Sequence, residues 1–427
     1  MKMNTLEICG EVISEFALCD SCLGRQFASL DRTFGNKEKG RALKMVLHMQ
    51  AQMHASTKRK DVFRSLKALA ESGYEPSLIT LRKMRRKLDI VTRPCYICSG
   101  FMDRLDEFSV KAIDSLGDVE CSTVMVGCKM PLQVEEREDE LKARFKLRHG
   151  ENIRYEVTRE IGKQIQALAN KKMDKLRPDV TLIVRLPEGE PEVNINPVFF
   201  KGRYRKLVGG IAQTRAPWLK GESIEEIVGV PLLDATQGED MKFHGAGRED
   251  VDARMTGNGR PFVIEIIRPK RRTVDLACIE ERVREQQKGR LEILGLSKAD
   301  KRDVVRVKIF GEKAKKTYRA IIKLEREIGE SDLAQLEQGL SDAIIAQRTP
   351  TRVLRRRGDR VRRKRLYKVS FKIISPDTVE GVFQCDGGLY IKELINGDEG
   401  RTRPSLSELA DRKAECIELE VLDIGEM

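Results

Sequence analysis

Apolar residues recur at three- and four-residue intervals through most of the first hundred positions, the spacing that lines one face of a helix. Leu6–Leu18, Lys37–His54, Lys60–Glu71 and Pro76–Leu88 all carry it, and Pro94 and Gly100 punctuate the chain behind them. From about Asp103 the pattern is mixed. Helical spacing over Leu105–Leu116 gives way to a strand-like run, Ser122–Met130. A longer helix is predicted over Glu156–Lys171, followed by strand-like runs at Val180–Leu186 and Phe199–Leu207. Gly209, Gly210, Pro217 and Gly221 then mark a boundary. Beyond it, strand-like runs at Phe262–Ile267, Val304–Phe310, Tyr318–Leu324, Leu366–Ile374 and Ile417–Leu422 are interspersed with helices near Ala277–Leu291 and Asp332–Ile345. Strands and helices in this uneven order predict an α+β fold with a mixed or antiparallel central sheet. Three parts are expected: a helical module over 1–102, an α/β region over 103–207 and a C-terminal domain over 208–427, within what 427 residues can build.

Charge adds a partner to this picture. Eighty Lys and Arg against 67 Asp and Glu leave a net charge of +13, which favours nucleic acid or an acidic membrane face. With 40% hydrophobic and 34% charged residues the composition is that of a globular chain. No run approaches the roughly 20 apolar residues of a membrane span, so no membrane partner is expected. Glu7 stands where a signal peptide would begin its apolar stretch, and a cytoplasmic protein is the expectation. In that compartment the ten cysteines are thiols or metal ligands rather than disulfides.

Four of them have ligand spacing. Cys19-Asp20-Ser21-Cys22 and Cys95-Tyr96-Ile97-Cys98 are two C-x-x-C pairs, each able to aim two thiolates at one ion from a tight turn. Together they predict a tetrahedral, structural zinc site with no open position and hence no chemistry of its own. Seventy-two residues separate the pairs, so the ion would tie down a helical insertion. The other six cysteines, including Cys121 and Cys128, lack this spacing and are assigned to the core.

Two basic stretches are candidate RNA contacts. Lys201, Arg203 and Arg205 alternate along a predicted strand, sharing one face that could track phosphates, while Tyr204 falls on the other. The bland alternative is a solvated edge strand. In Arg352–Lys368, ten of seventeen residues are basic and only Asp359 is acidic. Such a density repels itself unless phosphates neutralise it, so this run, with Arg355, Arg356 and Arg357, is read as a mobile loop closing on RNA.

The candidate chemistry lies in Gly247-Arg248-Glu249-Asp250-Val251-Asp252-Ala253-Arg254, with Gly257-Asn258-Gly259-Arg260-Pro261-Phe262 behind it. Glycines around acidic residues indicate a loop entering a strand, where a carboxylate can meet a ligand. Alone this reads as a salt-bridged surface loop. The whole segment resembles the pseudouridine synthases, whose nucleophilic Asp follows Gly-Arg-x. The longer match is similar to one branch, the archaeal and eukaryotic tRNA pseudouridine synthase family that acts at uridines 54 and 55 of the TΨC arm. The likeness runs over nearly the whole chain: the Cys pairs match that family's zinc module, and 103–207 its THUMP-containing region.

Further roles are implied by this resemblance. Asp250 is the nucleophile, preferred to Asp252 because it directly follows Gly-Arg-Glu. Lys316-Thr317-Tyr318-Arg319-Ala320 looks like the segment whose Tyr, here Tyr318, stacks on the target base; from pattern alone Tyr318 is a strand-face core residue. Gly388-Leu389-Tyr390-Ile391-Lys392-Glu393-Leu394 resembles a superfamily motif that puts Tyr390 in the substrate pocket and Lys392 in a salt bridge with Asp250. Arg248 is a second cation able to hold the carboxylate ionised. The implied partner is tRNA, the implied state a monomer, and no small-molecule cofactor is implied. A methyltransferase with a similar front half would show Asp/Asn-Pro-Pro-Tyr, and a thiolation enzyme Ser-Gly-Gly-x-Asp; neither tetrapeptide nor pentapeptide occurs. A non-catalytic RNA-binding adaptor would need the basic face and the zinc but not Asp250, Tyr318 and Lys392 together.

Overall fold

The computed structural model describes residues 4–54, 59–84, 90–215, 221–355 and 357–425. The last part of the helix predicted over Pro76–Leu88, and Pro217 of the predicted boundary, lie outside them. The chain divides into two compact units at Asn196/Pro197.

In the first unit the helical readings hold with small shifts: Thr5–Glu15, Asn36–Met53, Arg59–Glu71, Glu75–Met84, Leu105–Asp114 and Ile153–Ala169. A further helix, Leu132–Arg144, has so many charges that its apolar stripe shrinks to Val134 and Leu141, and periodicity misses it. Four strands form one sheet: β1 (Thr123–Lys129), β2 (Lys172–Met173), β3 (Val180–Arg185) and β4 (Glu190–Ile195), in the order β2-β1-β3-β4. One hydrophobic core runs from Cys9 through Cys22, Cys98 and Phe108 to Leu186, so the helical module and the α/β region, expected to part at 102, pack as one body.

Among its described residues the second unit has ten strands: β5 (Val198–Lys206), β6 (Asp240–Gly245), β7 (Arg254–Ile267), β8 (Leu291–Ala299), β9 (Lys316–Leu324), β10 (Ala343–Arg348), β11 (Val361–Ser375), β12 (Thr378–Cys385), β13 (Thr402–Arg403) and β14 (Ala414–Asp423). Their order is β13-β10-β11-β12-β9-β14-β7-β5-β8, with β6 also paired to β7. Among the described residues only β14 and β7 run parallel; every other pairing in this sheet is antiparallel. The C-terminal strand therefore joins two antiparallel halves. Its register sets one row across the junction: Met255 of β7, Val421 of β14 and Tyr318 of β9. The boundary expected after Leu207 falls earlier, because β5 pairs with β7 and β8.

Val304–Phe310, expected as a strand, is the middle of a helix, Lys301–Lys313. Val304, Val307 and Gly311 are buried three and four residues apart, and Asp300 caps the N-terminus with Asp303 returning the bond. A short β-branched run with buried flanks is ambiguous by pattern, and here the cap decides. Much of the basic run from Arg352 is strand rather than loop. From Val361 onward it is β11, paired along its length with β10 and β12. Asp359 ties down the connection before it, lying 2.7 Å from Arg348 and 2.8 Å from Arg401.

Candidate active site

Asp250 lies in the connection between β6 and β7 and is held from below by buried polar side chains. Glu249, the preceding residue, points inward. Its carboxylate lies 2.7 Å from Arg260 Nε, both side chains being 1% exposed, and accepts from the Tyr204 hydroxyl at 2.8 and 2.9 Å. Arg260 Nη1 donates to the Ala246 carbonyl at 2.7 Å, and Gln213 Nε2 to the Gly247 carbonyl at 2.9 Å. Lys206, fully buried, donates to the carbonyls of Ile211, Asp250 and Val251 at 2.9–3.0 Å. Burial lowers this lysine's pKa and pushes the Tyr204 phenol's up. Almost every group that fixes the loop backbone is thus a desolvated donor or charge with a partner, the arrangement in which such groups are strong rather than costly.

Above this floor the Asp250 carboxylate, about a third exposed, takes a two-pronged grip from Arg352: Nη1 to Oδ1 at 2.8 Å and Nη2 to Oδ2 at 2.9 Å. Arg352 Nε also donates to Glu393 Oε1 at 2.6 Å. Partial burial works to lower the Arg352 pKa, but Glu393 and Asp250 more than reverse it, so the guanidinium stays charged. The resemblance implied that Lys392 would pair with Asp250. Instead Lys392 Nζ lies 2.5 Å from Asp252 Oδ2. The reason is shape. The planar guanidinium fork matches both oxygens of Asp250, whereas the ammonium, rising from the first turn of the helix Ile391–Asn396, is a point donor that takes the neighbouring acid. Arg248 is exposed and is not the cation on Asp250.

Tyr318 is half-buried and packs against the Met255–Val421–Ile424 cluster, in the same row of the sheet as Met255. Burial raises its phenol pKa, and the negative charges of Glu249 and Asp250 add to the effect. Lys316, two residues earlier and so on the same strand face, is buried; desolvation and the Arg260 charge lower its pKa to about 8. Tyr390 caps the helix Ile391–Asn396, its backbone pinned by Gln347 through bonds of 2.9 and 3.0 Å. Its ring centroid lies 5.8 Å from the Arg352 and 6.0 Å from the Arg357 guanidinium carbon. Asp250, Tyr390 and Lys392 therefore gather around Arg352 and Glu393, which carried no assigned role in the sequence although each lies inside a stretch already singled out, while Tyr318 stands on β9 within reach of the Asp250 charge.

The basic residues divide. Lys201 pairs with Asp303 at 3.4 Å, Arg203 donates to the carbonyls of Asn258, Gly259 and Gly425, and Arg205 donates to the Gly257 carbonyl at 2.7 Å. The face expected to track phosphates is thus engaged within the protein, because β5 is a central strand rather than a free edge. Tyr204 does lie on the opposite, buried side. Arg355 and Arg357 are exposed; Arg356 lies outside the described residues.

In the first unit the sulfurs of Cys19, Cys22, Cys95 and Cys98 lie within 4.8 Å of one another, and Cys19 and Cys98 are 3.7 Å apart. A tetrahedron with metal–sulfur bonds of about 2.3 Å has edges of about 3.8 Å, so the four could hold one metal ion. The Cys22 amide donates to Cys19 Sγ and the Gly100 amide to Cys98 Sγ, both at 3.4 Å. Arg25, buried, donates to Cys22 Sγ at 3.3 Å, to Glu138 at 2.6 Å and to Glu156 at 2.7 Å. Among the remaining cysteines, Cys121 is buried, but Cys278 is exposed on a helix rather than in the core.

Family comparison gives this arrangement a class. A family described as "Pus10, C-terminal" matches residues 199–425, and one described as "Pus10 THUMP domain, archaeal" matches 108–185. The "tRNA pseudouridine synthase Pus10" of Thermofilum pendens is 38% identical over 422 residues, covering 97% of this chain and 94% of that protein. The protein of the same name from Methanopyrus kandleri is 39% identical over 433 residues, covering 97% of each. A solved structure titled "Crystal Structure of a Cbf5-Nop10-Gar1 Complex" aligns with 52% of this chain and 47% of that one at 17% identity and a TM-score of 0.30. The chain belongs to the Pus10 family and is an enzyme of the isomerase class.

Proposed function

We propose that the chain isomerises uridine 55, and uridine 54 with it, to pseudouridine in the TΨC arm of tRNA, with Asp250 as the nucleophile. The observation that carries this reading is the Asp250 carboxylate, gripped through both oxygens by Arg352 above a loop fixed by Glu249, Arg260 and Lys206. The reaction breaks the bond from ribose C1′ to uracil N1 and forms one from C1′ to C5. A proton leaves C5 and one is gained at N1, so nothing is oxidised and no small-molecule cofactor is required. An ionised carboxylate can open the glycosidic bond by forming an adduct or by deprotonating the sugar to a glycal. Each Asp250 oxygen accepts one hydrogen bond from Arg352 and retains a further lone pair for that step. The target base must leave its stack, and Tyr318 and Tyr390 offer aromatic faces to it. Arg355, Arg356 and Arg357 supply charge for the phosphates, and Arg248 is exposed to join them.

Zinc is the metal we assign to the four cysteines; when bound it supplies structure, since all four positions are filled by thiolates. The enzyme is read as a cytoplasmic monomer. The test is tRNA transcribed without modifications, scored by carbodiimide mapping of both uridines. Wild-type protein should convert them, and Asp250→Asn, folded and tRNA-binding, should not. Full conversion by Asp250→Asn would remove Asp250 from the mechanism, and no conversion of any tRNA by the wild type would leave an RNA-binding adaptor.

A further inference from the structure

Arg352 belongs to two parts of the molecule at once. It stands at the start of the connection between β10 and β11, the segment that also carries Arg355 and Arg357. Its guanidinium is engaged through all three nitrogens: Nη1 and Nη2 on Asp250, Nε on Glu393 at 2.6 Å, and Nη2 also on Glu393 at 3.4 Å. Glu393 is a buried carboxylate, its side chain only 4% exposed, on a helix whose N-cap, Tyr390, is pinned by Gln347. A desolvated carboxylate needs a cation, so Glu393 holds Arg352 from the protein side while Asp250 takes its outer edge. Lys392 does not duplicate this contact, being drawn to Asp252.

We propose that Arg352 is a positioning residue for the isomerisation and that Glu393 is its anchor. Glu393 fixes the guanidinium, the guanidinium fixes both oxygens of Asp250, and the connection carrying the exposed arginines thereby completes the nucleophile. The hold does not block attack, since the Asp250 side chain remains 31% exposed. Because Glu393 accepts two of the four hydrogen bonds, one of them long, its loss weakens the grip, whereas loss of Arg352 abolishes it. This inference rests on Asp250 being the nucleophile.

The experiment measures single-turnover conversion at saturating unmodified tRNA, alongside tRNA affinity, for Arg352→Ala, Arg352→Lys, Glu393→Gln and Asp250→Asn. Misplacing a reacting group by an ångström costs on the order of a hundredfold, so Arg352→Ala should lose about that factor in rate with affinity nearly unchanged. Low concentrations of guanidinium ion, against matched sodium chloride, should restore at least about a tenth of that loss in Arg352→Ala and nothing in Asp250→Asn. Arg352→Lys should remain slow, since an ammonium cannot fork, and Glu393→Gln should show a smaller loss without guanidinium rescue. A loss confined to affinity, or a rate loss in folded Arg352→Ala that guanidinium does not touch, overturns the proposal. An unchanged Glu393→Gln rate overturns the anchor. Should Asp250→Asn retain full rate, the nucleophile assignment fails first; if Asp250→Asn is dead and Arg352→Ala is fully active, only the present inference fails.

Discussion

Gly311 lies where the helix Lys301–Lys313 presses its backbone onto the loop that carries Asp250, and replacing it by alanine should slow the proposed reaction without unfolding the protein. A Cβ built on Gly311 would stand 2.6 Å from the Ala246 carbonyl carbon and 2.6 Å from the Gly247 amide nitrogen. Both neighbours are backbone, so neither can rotate away. Bringing 2.6 Å to an ordinary contact of 3.4 Å requires about 0.8 Å of separation between helix and loop. The loop is the stiffer partner only through Arg260, Gln213 and Lys206, whose hydrogen bonds end on its carbonyls, so part of the shift reaches Asp250 three residues on. A displacement approaching 1 Å at a reacting group costs on the order of a hundredfold in rate. Alanine is also the better helix former by about 0.8–1 kcal/mol, which offsets some of the strain in the folded state. Rate and stability should therefore separate: single-turnover conversion falls by roughly ten- to a hundredfold, while the thermal midpoint moves little and tRNA affinity holds. A Gly311→Ala variant that converts tRNA at the wild-type rate would show that this contact does not set the position of Asp250, and the reasoning would be refuted.

The other predictions concern the floor of the site, its pH response and the metal. Glu249→Gln leaves Arg260 buried without its counter-charge and should cost about 3–5 kcal/mol in urea unfolding of the second unit; a cost below about 1 kcal/mol would mean the pair is solvated. Lys316, at about 8, binds fewer protons folded than unfolded between that pH and 10.5, so stability should rise across this window and be lowest where the amine is charged. Lys316→Met should flatten that rise when unfolding is followed at pH 7 to 10, and a wild-type curve with no rise would contradict the depressed value. Strong chelation, or Cys95→Ser, should unfold the first unit and leave the second intact in hydrogen exchange, because metal binding energy there is folding energy. Protection of 4–196 unchanged by chelation would sink the structural role.

Much of the helical framework was readable because amphipathic periodicity survives wherever one face is buried against one core. It failed where that stripe was thin or short. Leu132–Arg144 hides its two apolar contacts among charges, and Val304–Phe310 is too brief to separate a buried helix from a strand. The four cysteines were legible because two-residue spacing is itself the ligand geometry. The basic alternation in β5 was legible as a pattern but not as a role: Lys201, Arg203 and Arg205 look like a phosphate track until β5 is seen between β7 and β8, where their charges meet Asp303, Glu292 and main-chain carbonyls.

By itself, the sequence determined the elements that repeat locally, two cysteine pairs at metal-ligand spacing, and a glycine-rich acidic loop whose neighbours resemble one enzyme family. It could rank Asp250 above Asp252, but it could not say which cation holds it. Lys392 and Arg352 are each more than a hundred residues from Asp250, and both are ordinary basic residues in basic or helical surroundings. Only the tertiary structure decided between them, by bringing a planar fork to one carboxylate and a single ammonium to the other. The same holds for Glu249, which in sequence is an acidic residue beside Asp250 and in the fold is the buried partner of Arg260. Periodicity and spacing follow from bonds along the chain, whereas the pairing of charges follows from distances across the sheet, and those exist only once β14 has closed between β7 and β9.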